Sequence, residues 1–369
     1  MHEAKMITTE AELAHLVADL LPQAAVAVDT EFFWERTFYP ILGLVQLAAP
    51  DNTCWLVDAV SIRNLAAMGP LLASANVTKV LHDAPQDLAI LARATGVHPR
   101  RIFDTRLAAG FAQLDPTCAL QSLLRETLQI ELCKAETRSD WLRRPLLASQ
   151  LQYAAEDVRH LLALRDDLLA RCANDTVRAW LQEDLARLDD ASGCLDRDPH
   201  LMYLRVKGGT RFTARQLAIL REVCAWRELE ARTRDWPRGH VLTDDILLAL
   251  VCLAPADAAA LAGVPNLPRN LPDTVRADLL AAVARGKAMP DDTCPQPARA
   301  VTAARQTRKE RADHLLAHIR TTCAEHRIHP ALVASRGEAE NYLDLLDFDP
   351  AAASRHPLAQ GWRKPLVTR

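Results

Sequence analysis

The chain has 369 residues, 49% hydrophobic and 25% charged, which excludes a disordered protein and leaves room for two or three domains of ordinary size. Its most apolar stretch, Ile246 to Val264, is interrupted by Pro255 and Asp257, so no membrane-spanning helix is expected. The formal charge of −3 hides a division: residues 1–200 carry 19 Lys and Arg against 28 Asp and Glu, residues 201–369 carry 25 against 19, and the halves stand at −9 and +6.

An acidic front and a basic back suit a carboxylate-rich site joined to something that holds a polyanion, although chance surface composition produces the same split. Nine scattered cysteines without a Cys-x-x-Cys indicate neither a disulfide framework nor a zinc ribbon. The first residues, Met1 to Lys5, lack the basic start and apolar run of a secretory signal. A reduced, cytoplasmic protein is expected.

In chain order, Thr9 and Glu12 have capping-box spacing and open a helix whose apolar stripe is Leu13, Leu16, Val17, Leu20 and Leu21. Pro22 stops it. Strands are predicted over 25–33, 41–48 and 53–57, close enough together for an antiparallel meander. Strand and helix then alternate: a helix near 61–74, a strand over 78–82, a helix from about Ala84 and a strand over 101–103. Such a pattern makes a mixed α/β layer fold. Beyond about residue 170 the strand signal ends. Linkers are read at Asp189–Asp198 and Lys207–Gly209, and again at Pro290–Pro297. Helices started by Thr213 and Thr243 fill 213–285, and a last helical segment covers roughly 300–366.

Three features carry chemistry. In Val26-Ala27-Val28-Asp29-Thr30-Glu31 the strand alternation puts Asp29 and Glu31 on one face, roughly 7 Å apart, with Val26 and Val28 behind. Two acids on one face of an apolar strand repel each other and resist burial, a conflict that a hard divalent cation removes; an exposed strand end carries such a pair equally well. Asp87 follows Pro85 in the first turn of the helix after His82, near the sheet edge where α/β sites assemble, and helix dipoles favour an acid there in any case. Tyr153 and Asp157 are i and i+4 on a helix that Ser149 and Gln152 are expected to cap, so they share a face. A half-buried tyrosine above a solvated aspartate has the same spacing.

Together, Asp29-x-Glu31, Asp87 behind His82, and Tyr153-x-x-x-Asp157 resemble the three motifs of the tyrosine-type branch of the DEDD exonuclease superfamily. Phe38-Tyr39-Pro40-Ile41-Leu42-Gly43-Leu44-Val45-Gln46-Leu47, Phe103-Asp104-Thr105, Ser139-Asp140-Trp141-Leu142-x-Arg144-Pro145-Leu146 and Ala225-Trp226-Arg227-Glu228-x-Glu230-Ala231-Arg232 are similar to stretches of the bacterial ribonuclease D family. The resemblance implies an α/β ribonuclease-H-like exonuclease domain over 1–200, a mixed sheet with flanking helices. Two all-α domains of the helicase-and-ribonuclease-D C-terminal (HRDC) type follow, over 209–289 and 298–369. It implies that Asp29, Glu31, Asp87 and Asp157 hold two divalent metal ions, Mg²⁺ or Mn²⁺, with Asp29 shared between them. Glu31 and Asp157 then stand on the nucleophile side, Asp87 on the leaving-group side, and Tyr153 places the attacking water. Two-metal chemistry serves both ends of a phosphodiester displacement.

The implied activity is 3′→5′ hydrolysis of RNA to 5′-mononucleotides, acting on tRNA precursors with single-stranded 3′ ends, by a monomer. Arg227 and Arg232, with Arg234 and Arg238, are candidates for phosphate contacts. Tyr39 is a candidate for stacking on a terminal base, and His82 for a place near the scissile phosphate; for both, packing is the competing explanation. Asp104, just before a helix, is read as its cap, while Asp83 and Asp140 have no assigned role. Two other readings stay open: a 3′→5′ DNA exonuclease, since 2′-hydroxyl contacts are invisible in sequence, and a non-catalytic RNA-binding scaffold.

Overall fold

The computed structural model describes residues 4–132, 136, 139–296 and 304–368. The chain forms two compact units, one made of residues 1–33, 42–195 and 302–369, the other of 34–41 and 196–301.

The first unit is built on a six-stranded sheet of order β1-β4-β3-β2-β5-β6, from β1 (Lys5–Ile7), β2 (Ala25–Phe33), β3 (Ile41–Ala48), β4 (Cys54–Asp58), β5 (Thr78–Leu81) and β6 (Ile102–Asp104). β3 and β4 are antiparallel, while β2, β5 and β6 run parallel, so the sheet is mixed as expected. β1 was not anticipated. Three residues are too few for alternation to show, and β1 exists through parallel pairing with β4, Lys5 against Trp55 and Ile7 against Val57. The helix expected over 61–74 is instead a 3₁₀ turn, Ala66–Met68, followed by a short helix, Gly69–Ala73; Pro70 at its start has no N–H to continue a longer helix.

Alternation along β2 divides the core. Val26 and Val28 pack with Val45, Leu47, Val57 and the α1 stripe (α1, Glu10–Leu20) on one side of the sheet. Ala25 and Ala27 face Ala48, Cys54, Val80, Ala155 and Val158 on the other. The small residues on that second side let α4 (Ala148–Arg159) lie close, after α2 (Pro85–Thr95) and α3 (Thr105–Phe111). The Thr9–Glu12 capping box forms at the head of α1. At α4 the expected Ser149–Gln152 cap does not. The helix starts earlier because the Gln150 side-chain oxygen accepts the Leu147 N–H at 2.9 Å, and Gln152 bonds Glu156 instead.

The last helical segment belongs to the same compact unit as the sheet. Trp362, 3% exposed, stacks on Trp180 of α6 (Asp175–Ala186), the helix after α5 (Leu161–Arg171), with centroids 5.5 Å apart, and its ring centroid is 5.1 Å from that of Phe111. Its Nε1–H donates to the buried Asp184 at 2.9 Å, and Arg363 forks onto the same carboxylate at 2.7 and 2.7 Å. Ile319, Cys323, Leu332 and Tyr342 join one continuous core with Phe111, Leu164 and Leu181. A sequence boundary at residue 298 therefore separates parts that share a core.

The second unit is helical. α7 (Ala214–Arg234) carries a complete Thr213–Gln216 capping box and packs with α8 (Asp244–Leu253) and α9 (Asp273–Ala288) around Leu220, Val223, Leu247, Leu250 and Leu279. Gly286 is where α9 meets α7, since a Cβ there would strike the Ile219 backbone.

Replacing Trp362 by Ala should remove about 3–5 kcal/mol from the first unit, seen as a lower denaturant midpoint on chemical unfolding. An unchanged midpoint would show that the C-terminal segment does not support the sheet.

Candidate active site

β2 ends with Asp29 and Glu31 on the face that α4 covers, and α4 brings Asp157 over them. One carboxylate oxygen from each of Asp29, Glu31 and Asp157 can be chosen so that all lie within 4.8 Å of one another. All three residues are half-buried. Burial lifts the Asp29 carboxyl well above the usual range, and the charges of Asp87, Asp157 and Glu31 push it further. Glu31 is raised to about 9 by burial and by Asp157 and Asp87. Asp157 is raised to about 7 mainly by burial. The neighbours that shift Asp29 and Glu31 upward are carboxylates, so among the described residues the fold concentrates acid without setting a cation beside it. Oxygen ligands at this spacing fit a hard divalent cation, which removes the repulsion that the fold leaves in place.

Asp87 stands outside that three-residue group but close enough to act electrostatically on Asp29 and Glu31. It is 7% exposed in the first turn of α2, and burial raises it to about 7. The Thr30 hydroxyl, from the residue between the two β2 acids, donates to it. The turn before it is held by Asp104. This buried carboxylate caps α3 through Arg106 N–H at 2.9 Å and accepts the N–H groups of Asp83 and Ala84, both at 3.0 Å. Asp104 thus caps one helix and ties the start of the one before it. Asp83 has a left-handed backbone, φ 63°, and its side chain pairs with Arg106. Asp140 accepts the Leu142 N–H at 3.0 Å and so shapes the 139–146 turn.

One turn before Asp157 on α4, the Tyr153 hydroxyl bonds the Asp157 carboxylate. Burial and the surrounding acids push the phenol far above its usual value, so it keeps its proton and remains a donor.

Each of the remaining candidates has partners of its own. His82 is engaged through Nδ1 with the Thr105 hydroxyl at 2.9 Å and through Nε2 with the Cys118 carbonyl at 3.2 Å. Tyr39 is in the second unit, where its hydroxyl donates to Asp196 at 2.6 Å and its ring meets Phe38 edge-on at 4.7 Å. Arg227, 6% exposed, donates to the Leu242 carbonyl at 2.9 Å and to Asp244 at 2.7 Å. Arg232 is forked onto Glu228 at 3.2 and 2.8 Å, Arg238 binds the same carboxylate, and Arg234 pairs with Glu230. These guanidiniums hold the helical unit together.

Known proteins resemble this chain along nearly its whole length. A family model described as 3′-5′ exonuclease matches residues 4–172, and one described as HRDC domain matches residues 216–283. Ribonuclease D of Desulfotalea psychrophila is 37% identical over 367 residues, covering 100% of this chain and 97% of that protein. Ribonuclease D of Pseudomonas paraeruginosa is 40% identical over 297 residues, 80% of this chain and 77% of that protein. Among solved structures, RNase D of Escherichia coli, an exoribonuclease involved in structured RNA processing, superposes with a TM-score of 0.84 at 28% identity, covering 99% of this chain and 96% of that one. The chain belongs to the ribonuclease D family, the metal-dependent 3′-5′ exonucleases with a C-terminal HRDC domain.

Proposed function

We propose that the chain is a 3′→5′ exoribonuclease that removes 5′-mononucleotides from single-stranded RNA 3′ ends, tRNA precursors being its substrate class, and that it works as a cytoplasmic monomer. The observation that carries this reading is the meeting of Asp29, Glu31 and Asp157 beside Asp87 and Tyr153. Asp29, Glu31, Asp87 and Asp157, four carboxylates with no cation beside them among the described residues, would hold two divalent ions, Mg²⁺ or Mn²⁺, Glu31 and Asp157 serving the nucleophile, Asp87 the leaving group and Asp29 both. Bound there, such ions supply Lewis acidity at the phosphate and make water a better nucleophile at neutral pH. The chain's own contribution is positional. Tyr153, protonated and fixed to Asp157, offers its hydroxyl to orient the attacking water in line with the terminal phosphodiester. Thr30 and Asp104 keep Asp87 from turning away. The basic surplus of residues 201–369 supplies sequence-independent phosphate attraction, which weakens as salt rises.

On a 5′-labelled RNA with a single-stranded 3′ tail and Mg²⁺, the wild type should give a ladder shortening from the 3′ end. Asp29→Asn should abolish it while leaving RNA retention in a gel shift intact. Tyr153→Phe should slow it roughly 10²–10⁴-fold. Faster removal of a matched DNA tail would favour a DNA exonuclease, and wild-type rates in both variants would end the assignment.

The raised carboxyls also set a pH signature. Asp87 and Asp157 near 7 and Glu31 near 9 in the metal-free fold lie above their unfolded values of about 4. Their protons therefore favour the folded state fully below about pH 4, and that contribution is lost as pH rises through 7 to 9. In chelator the melting temperature should fall between pH 6 and 9, and Mg²⁺ should restore most of it at the alkaline end by replacing the protons. A melting temperature in chelator that does not fall over that range would contradict a cation-free acidic cluster.

A further inference from the structure

The Ser139–Leu146 stretch holds a device that the carboxylate chemistry does not by itself require. Every N–H of the Arg144 guanidinium has an acceptor. Nε donates to Asp58 at 2.9 Å, and Nη2 to Asp58 at 2.5 Å and to the Gly43 carbonyl at 2.8 Å. Nη1 donates to the carbonyls of Trp141 and Arg143, both at 2.9 Å. Asp58 sits at the end of β4 and is itself fixed by the N–H groups of Val60 and Ser61, at 3.0 and 3.2 Å, and by the Ser61 hydroxyl at 2.7 Å. Burial alone would raise this carboxyl, yet Arg144 and Ser61 bring it down to about 2, so the pair stays ionised. Gly43 on β3 completes the seat, because a Cβ there would stand 2.5 Å from the Trp141 carbonyl oxygen.

The loop so clamped carries one deeply buried aromatic. Trp141 is 2% exposed, packs with Leu44, Leu56 and Ala154, and lies against Tyr153 with ring centroids 6.1 Å apart and planes inclined by 36°. The far side of the Tyr153 ring is thereby set by a loop rather than by α4, on which Tyr153 itself sits. An ammonium on a flexible stem cannot make this planar, five-donor connection.

We propose that Arg144, anchored on Asp58 and Gly43, is a positioning residue that holds the Trp141 indole behind Tyr153 and so determines where the Tyr153 hydroxyl meets the reacting water. The proposal rests on the water-orienting role given to Tyr153. It explains why a half-buried ion pair stands at this end of the β3–β4 pair, where apolar residues would fill space equally well: packing alone holds a ring in place, but a fork of directed bonds fixes the loop's register as well.

The test is a double-mutant cycle on the full chain, with Mg²⁺ and the tailed RNA, under single-turnover conditions. Arg144→Met should slow the chemical step roughly 10–100-fold with RNA affinity unchanged, and Arg144→Lys should not rescue it. In a Tyr153→Phe background the same change should cost less than about threefold, because its route of action is already gone. Equal factors in both backgrounds, or a wild-type rate for Arg144→Met, would overturn the proposal. A wild-type rate for Tyr153→Phe would overturn the role of Tyr153 and the proposal with it. If Arg144→Met does not fold, Trp141→Phe takes its place in the cycle: non-additivity with Tyr153→Phe supports the proposal and additivity refutes it.

Discussion

Mutual repulsion among carboxylates is the constraint around which the exonuclease unit is arranged. Asp29, Glu31 and Asp157 hold oxygens within 4.8 Å of one another in surroundings that already penalise charge, and Asp87 adds to the field. Left alone, such a cluster relaxes by rotating side chains toward water or by keeping protons. The cluster persists because its members come from separate rigid elements. A strand supplies two, the helix across the sheet supplies the third, and the first turn of another helix supplies the fourth. The energy that a cation recovers on binding is the energy that the fold spends in holding these acids together.

What resists relaxation is a set of neutral or internally balanced contacts around the acids. Thr30 gives its hydroxyl to Asp87. Asp104 spends its charge on backbone N–H groups at the heads of two helices, so it steadies the approach to Asp87 without offering a competing cation ligand. Asp58 is neutralised by Arg144. Among the described residues the acids named here thus fall into two kinds, those whose charge is met by a guanidinium or by several backbone N–H groups and those that have at most a neutral hydroxyl beside them. Only the second kind is available to a metal.

Much of this was legible in the primary order. The β2 alternation put Asp29 and Glu31 on one face, the i to i+4 spacing joined Tyr153 to Asp157, and Asp87 fell in a helix's first turn, because each depends on local geometry alone. The supports were not legible. Arg144 and Asp58 are 86 residues apart, and nothing local in a lone arginine or an aspartate at a strand end announces the other. Gly43 gave a faint sign as the one glycine in an apolar strand, where close backbone approach is a usual cause. β1 was too short for any period to show, and the α4 cap shifted because Gln150 at N3 reached back to the Leu147 N–H, the half of a capping box that does not depend on the N-cap side chain.

The basic half of the chain shows how net charge and individual charges answer different questions. Arg227 with Asp244, Arg238 with Glu228, Arg285 with Glu222 and Arg311 with Asp347 are internal pairs, and each removes a plausible phosphate contact. Each also removes one acid with one base from the same stretch of sequence, so these pairs leave the +6 surplus of residues 201–369 as it was. The long-range attraction for a polyanion therefore survives the loss of the specific arginines that sequence inspection favours, since a field sums all charges whereas a contact needs a free donor. On the proposed reading, a stretch of chain that commits these arginines to internal pairs and attracts RNA through its net charge gains affinity that is diffuse and salt-sensitive. That leaves discrimination of a 3′ end to the carboxylate site, where geometry is fixed.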